Sequence, residues 1–581
     1  MREHECDVAI IGGGPGGSTT AAYLRKHDPR LRVLVLERER FPRDHIGESQ
    51  LPAIGRVLHE IGAWDKVEAA GFPVKIGASY TWGQTRDPWE FEFMPITQIP
   101  EGFARPTPYE GWRSRVAMQV DRAVYDDILL RHAADLGADT RQGTRVAKVH
   151  HDNGRVTGLE LDGGERVKAR YYVDASGNAA ILRRALGVKV DAPTRLQNVA
   201  FWDYWSDPAL NRDQFGFGVT RVQIRSLPYG WLWYIPLSRT RTSVGLVCPA
   251  TYYKTCGKRP EQLYMEALKS EPTIWGLIES ARARGEVEAT TDWSFVSEKG
   301  VGENWFLVGE ALGFADPILA AGLTLTHWSA RHCAATILEL DRGREDAGWL
   351  RAEYEAQQTK RIRQHIRFAE YWYSGNGCFS DVREFCSDIA RESGLKLNAA
   401  AAFRWLSTGG LDDIPGQAAI GGFNIGSLKQ VQHRLSDSGV VDYVINKNNV
   451  FKLNLTGAEK TSIGVVLDGS VTRAPAYRRG PNLLPHYGAY GNVIDTLGKT
   501  SRIDEFIATL TKSLSAVMPP PVVQAQVKEA LFCLEMMAQN YWVTYSRRAN
   551  WPTLTVDASK EGEFIYSTAT GPVARPKGAL G

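Results

Sequence analysis

Cysteine is scarce and scattered in this chain: seven among 581 residues, at Cys6, Cys248, Cys256, Cys333, Cys378, Cys386 and Cys533. No two are spaced as CxxC, so neither a zinc ribbon nor a disulfide-stapled fold is indicated, and no metal site is expected. An odd count reads as free thiols in a reducing compartment. An excess of charge of either sign is missing too: 69 Lys and Arg stand against 66 Asp and Glu, a formal net charge of +3. That near-balance offers no face for a polyanion, so nucleic acid is not an expected partner. The apolar run best suited to a membrane, ALGFADPILAAGLTLTHWSA, contains Asp316, His327 and many small residues and makes a poor spanning helix. Low-complexity tracts and internal repeats are lacking. The first motif starts within ten residues of Met1, which leaves no room for a signal peptide, so a cytoplasmic protein with no membrane partner is expected.

The composition, 43% hydrophobic and 23% charged, is that of a globular protein, and the length is too great for one core. Residues 7–17 read DVAIIGGGPGG: an apolar strand, Val8 to Ile11, runs into Gly12-x-Gly14-x-x-Gly17 and then the helix-compatible STTAAYLRKH. Gly12 permits the tight turn, Gly14 lets the backbone approach a pyrophosphate, and Gly17 allows close helix–strand packing. The helix start, with Pro15, Gly16 and Ser18, faces the phosphate charge. A second apolar strand, RVLVLE, ends in Glu37 beside Arg38, where an acid binds a ribose hydroxyl. A dinucleotide is expected here. Two further strand-to-turn segments follow, RYYVDASGN at 170–178 and WFLVGEALGFADP at 305–317.

Three such elements resemble the glutathione-reductase-type FAD fold, particularly its aromatic-hydroxylase branch, and the resemblance implies FAD rather than NAD. In that branch the third element reaches the flavin as Gly-Asp. Gly309-Glu310 stands there, so Asp316 is expected to supply the acid. FPRDHIGES at 41–49, GFPVKIGASYTWG at 71–83, GWLWYIP at 230–236 and FADPILAAG at 314–322 complete a pattern similar to the flavin-dependent halogenases. Their GWxWxIP signature is present as Gly230, Trp231, Trp233, Ile235 and Pro236. The branch resembled acts on phenolic, pyrrole or acyl units, often tethered to a carrier protein, as the chloramphenicol-pathway halogenase does. It covers roughly residues 5–380.

The resemblance implies antibiotic or other secondary metabolism. It also implies a chemistry in which reduced flavin, supplied by a separate flavin reductase, turns oxygen and chloride into hypochlorous acid. The oxidant then travels along a tunnel, walled by Trp231, Trp233 and Pro236, to a lysine. Lys75 matches that lysine. From spacing alone it reads rather as an edge-strand lysine kept for solubility, and the adjoining motifs reverse that. The chloride segment departs from the family pattern, with Ala320 where serine is expected, leaving the backbone N–H groups of Ala321 and Gly322 to hold the halide. Leu319, where the tryptophan-specific branch has glutamate, argues against free tryptophan as substrate. Arg43 is expected against the flavin. Arg122 reads either as a cofactor contact or as a capping or ion-pair residue before the helical AVYDDILLRHAADLGA. His45, His132 and His327 read as structural. The alternative function is a flavin monooxygenase or reductase of the same fold, with Ala320 marking a lost halide site. A non-catalytic flavin-binding protein is the third reading.

The expected fold is therefore α/β: an FAD-binding Rossmann core at 1–375, with cofactor elements at 5–50, 115–180 and 300–340. A substrate sheet is inserted at about 70–112 and 190–295. Beyond it, short strands in VVDYVINK, FKLNLTG and SIGVVLDG precede two helices split by MPPP. Residues 376–570 read as a small α+β appendage of winged-helix kind, and 571–581 as a flexible tail.

Overall fold

The computed structural model describes residues 3–82, 87–94, 96–194, 196–207, 218–374, 376, 443–480, 482–558 and 564–567. Cys378, Cys386, the Gly-rich stretch at 407–424 and the 571–581 tail lie outside them. Two units are distinguished: the described residues of Met1–Lys396 together with Val466–Thr472, and those of Leu397–Val465 with Arg473–Gly581.

The first unit is built on a seven-stranded sheet. Strand β1 (Glu3–Ile11) is buried from Val8 onward and lies parallel to β2 (Val33–Glu37) on one side and to Arg166–Asp174 on the other. A strand buried on both faces reads as a continuous apolar run, which is what AIIG and VLVLE are. Register brings the three separated segments to one level: Ile11 stands opposite Asp174, and Asp174 opposite Leu307 of the Trp305–Leu307 strand. All three chains thus leave the sheet at their carboxyl ends side by side, where an open α/β sheet binds its ligand. Helix α1 (Pro15–His27) starts there, with proline in its first turn.

A second, nine-stranded sheet carries the inserted segments. Strand β3 (Val74–Thr81) runs parallel to Val219–Leu227, which pairs antiparallel with Gly230–Pro236, and that in turn with Arg241–Pro249. One face of this sheet is closed by the helices Pro260–Ser270 and Pro272–Ile278, with Leu232, Tyr234, Val244 and Leu246 packed against Leu263, Tyr264 and Ile274. The other face carries the side chains discussed below.

The second unit is a small α+β body. Helices Gly488–Leu497, Ile503–Ser515 and Pro520–Gln539 surround Tyr490, Phe506, Leu510, Leu531 and Trp542, and the strands Val450–Leu453 and Val543–Ser546 pair antiparallel. The strands expected in FKLNLTG and SIGVVLDG are there, the latter within Glu459–Leu467. VVDYVINK is different: Val444–Lys447 is a helical turn, because the Glu535 carboxylate accepts the Val444 and Ile445 N–H groups and holds the turn open to it.

Candidate active site

At the pyrophosphate turn the glycines answer to sterics. Gly12 has φ of +103°, and a Cβ there would overlap the Ala175 carbonyl; at Gly17 it would overlap the carbonyl of Gly12. A Cβ at Gly14 would meet only the Arg43 guanidinium, at 3.5 Å, so that side of the turn is kept open. Gly16 packs closely under Val308 and Thr326, and Ser18 Oγ donates to Gly13 O at 2.7 Å. The Glu37 carboxylate accepts from the N–H groups of Gly13 (2.6 Å) and Glu39 (2.8 Å), while Arg38 is exposed and pairs with Glu39.

Arg122 makes the ion pair. It grips Asp126 through Nε and Nη2 (2.7 and 2.9 Å) and donates Nη1 to the carbonyls of Ile46 and Gly47. Arg43 Nη1 lies 3.2 Å from the same carboxylate. The third element carries two acids, Glu310 and Asp316. Glu310 stands beside Gly177, 3.9 Å from where a Cβ would sit, with burial pushing its carboxyl up and Arg122 opposing. Asp316 accepts from Ile318 N (2.9 Å), Tyr373 Oη (3.2 Å) and Asn198 Nδ2 (3.3 Å).

Between these elements and the second sheet runs the segment Glu48–Gln50. Ser49 bridges to Gln119, and the backbone of Gln50 and Glu48 bonds Met118 and Val120. Ser49 Oγ, Gln50 Nε2 and both amide atoms of Gln119 are buried with no partner in the protein. Buried polar groups of that kind are costly unless a ligand satisfies them. Orphaned atoms here and an open glycine turn beside them fit a bound FAD.

Lys75 is not an edge residue. Its strand has partners on both sides, its side chain is 2% exposed, and Nζ donates to Gln50 O at 2.9 Å with the Phe93 ring 5.5 Å away. Burial pushes its pKa down to about 7. A β-bulge directs it: Lys75 pairs with Thr220 and Gly77 with Arg221, leaving Ile76 as the extra residue. Regular alternation back from Tyr80 would turn Lys75 to the helix-covered face; with the bulge it shares a face with Thr220, Ile224 and Ser226, and hence with their partners Trp233 and Trp231.

The two indoles lie 6.1 Å apart and each has a fixed acceptor. Trp231 Nε1 donates to Tyr373 Oη (2.8 Å), Trp233 Nε1 to Ser243 Oγ (3.1 Å). Trp233 lies over Gly245, where a Cβ would overlap its ring. Ser243 also bonds Glu48, whose carboxyl burial pushes up to about 7. Pro236 closes its strand before the 237–241 turn. Tyr373 and Ser243 escaped sequence reasoning, since nothing in their local pattern marks them, and Glu48 was given no role of its own within FPRDHIGES.

The chloride segment ends a short turn, Pro317–Leu319. Ala320 follows at φ +56°, and the helix Gly322–Arg342 begins, preceded by Ala321 with no side-chain cap. Thr324 Oγ1 is buried and unpartnered. Uncapped amides at a helix start suit an anion. His327 is buried between Thr19 Oγ1 (2.9 Å) and Tyr125 Oη (2.8 Å), its pKa pushed down to about 3 by burial, so it is a neutral structural residue. His132 Nε2 meets Ile61 O, and a ring nitrogen of His45 meets Ile46 O.

The fold and its turn define an FAD-binding enzyme, and the FAD binding domain family matches residues 5–369. A 1H-pyrrole-2-carbonyl-[peptidyl-carrier protein] chlorinase from Pseudomonas fluorescens is 31% identical over 65% of this chain and 86% of its own. A tryptophan 2-halogenase from Chondromyces crocatus is 31% identical over 58% of this chain and 62% of its own. The crystal structure of CmlS, a flavin-dependent halogenase, superposes with a TM-score of 0.71 at 24% identity, over 97% of this chain and 98% of that one, a likeness of fold. This chain belongs to the flavin-dependent halogenases. Among the described residues no helix is long and apolar enough to cross a membrane.

Proposed function

We propose that the protein chlorinates an electron-rich aromatic, of the pyrrole or phenol kind, presented on a carrier protein, with Lys75 delivering the oxidant. Reduced flavin, brought by a separate reductase, supplies the electrons by which oxygen and chloride become hypochlorous acid and water. The chain's own residues do the rest. The turn Gly12–Ser18 and Glu37 bind the dinucleotide, Glu310 takes the flavin-chain position first given to Asp316, and Arg43 faces the pyrophosphate. Ala321 and Gly322 present backbone N–H groups to chloride. Trp231 and Trp233 exclude substrate from the flavin. Lys75 Nζ holds the oxidant by hydrogen bond or as a chloramine, and the substrate carbon then exchanges its proton for chlorine.

One observation carries this reading: a buried amine whose pKa burial lowers to about 7, so that a large share of it is neutral at that pH, on the same sheet face as both indoles and anchored to the segment with orphaned polar atoms. A neutral amine can accept or share a proton; a solvated lysine at that pH is held as the cation. The carrier-tethered substrate follows the pyrrole-carrier chlorinase above. The test incubates protein, a flavin reductase, NADH, oxygen and chloride with a phenolic probe and reads products by mass. One chlorine gained, falling by roughly 100-fold or more in Lys75→Ala while flavin oxidation continues, is expected. Oxygen insertion instead would favour the monooxygenase reading, for which Ala320 is the specific observation.

A further inference from the structure

Asp316, Tyr373, Trp231 and Asn198 come from four distant parts of the chain and close one buried hydrogen-bonded cluster; Asp316 is 3% exposed, Trp231 2% and Tyr373 4%. Its polarity is fixed by chemistry. An indole N–H only donates, so the Tyr373 oxygen accepts from Trp231, and the Tyr373 proton goes to Asp316 Oδ1. Asn198 Nδ2 donates to Asp316 Oδ2 (3.3 Å) and to Tyr373 Oη (3.4 Å). The same Oδ1 accepts Ile318 N at 2.9 Å and so caps the Pro317–Leu319 turn, which delivers Ala320 into its left-handed conformation and starts the helix at Gly322. One end of the cluster is therefore a wall of the proposed oxidant path and the other is the anion-holding turn.

We propose that Asp316 is a positioning residue of the halogenation site: through Tyr373 it holds the 317–322 turn and the Trp231 indole as one unit, so that a change at either end loosens chloride. The inference rests on the chloride reading above. The members share buried hydrogen bonds, and breaking one disturbs the groups it joins, which couples the two ends of such a cluster. Asp316 touches neither oxidant nor substrate; it acts through the turn it caps and the hydroxyl it orients.

The experiment uses the flavin-loaded full chain and chloride itself as probe, with binding read by chloride NMR line broadening and chloride KM and kcat read in the chlorination assay. Tyr373→Phe removes the bridge and Trp231→Phe removes the indole donor. Each is expected to weaken chloride binding and raise its KM about tenfold, as loss of a buried hydrogen bond does, with kcat at saturating chloride nearly kept in Tyr373→Phe. The double variant is expected to bind chloride no more weakly than the worse single. Chloride binding equal to wild type in Tyr373→Phe, or losses that add in the double variant, would overturn the proposal. If Tyr373→Phe loses its flavin, Asp316→Asn with Trp231→Phe provides the same cycle and the same two outcomes. A wild-type protein that makes no chlorinated product would sink the halogenase reading, while the binding cycle would still decide the coupling.

Discussion

Lys75 and Glu48 are buried titratable groups whose shifts have opposite consequences for stability. Lys75 is neutral in the native chain above about pH 7 but stays charged in the unfolded chain up to its usual 10.5. Over that window the unfolded state holds the extra proton, so stability rises with pH. Glu48 is the converse: its carboxyl keeps a proton in the native chain up to about 7, but loses it in the unfolded chain above its usual 4.5, so stability falls as pH rises between them. Each group contributes a slope of at most about 1.4 kcal/mol per pH unit. Urea denaturation across the pH range is expected to show the alkaline rise vanish in Lys75→Met and the acid-side fall vanish in Glu48→Gln. Unchanged slopes would mean that both groups titrate as they do in water.

At the scale of elements, the sheet face matters more than any single side chain on it. The bulge at Ile76 is a local irregularity whose effect is global: it aligns Lys75 with two indoles that lie across two strand pairings. The strand Arg241–Pro249 contributes by what it omits, since Gly245 leaves the floor on which the Trp233 ring lies. Gly245→Ala must push that ring off its place, at a cost of about 1–3 kcal/mol of overpacking. A lowered thermal midpoint and reduced chlorinated product are expected together. Product at the wild-type level would show that the position of Trp233 is irrelevant to the reaction.

Over the whole molecule, the core beneath the dinucleotide turn includes residues far beyond the first unit's main run of chain. Val466 and Val471 are 5% and 1% exposed and pack in the same core as Val8, Ile10, Tyr23 and Val173. Gly469 N donates to Tyr23 Oη of α1 at 3.1 Å, and Arg331 and Arg342 bond the Val466 and Gly469 carbonyls. Residues 466–472 therefore help to hold α1, which begins at the glycine turn, and the Gly322–Arg342 helix. Replacing Val466 and Val471 with serine is expected to cost about 2 kcal/mol or more at each site. The thermal midpoint should fall, and less flavin should survive gel filtration. Flavin retention at wild-type level would show that this tip is dispensable to the cofactor site.

What the amino-acid sequence determined by itself is whatever depends on short-range sterics. Gly12, Gly14 and Gly17 identify a dinucleotide turn because backbone approach and left-handed φ are local demands. The apolar runs before Gly12 and in RVLVLE mark buried parallel strands, and GWLWYIP marks the halogenase sheet. Tertiary structure decided the rest, because burial and hydrogen-bond partners are set by residues hundreds of positions apart. Asp316 and Glu310 are both acids near the third turn, and only the tertiary structure shows that one meets Tyr373 and Asn198 and the other the field of Arg122. The donors of Arg122 go to Asp126 and two carbonyls, which no local pattern showed. VVDYVINK has strand composition, but Glu535 captures its amides as a helical turn. Lys75 in FPVKIG is an unremarkable strand lysine on paper. Desolvation inside a sheet lowers the pKa of its amine to about 7, and one bulge puts it on the sheet face that carries Trp231 and Trp233.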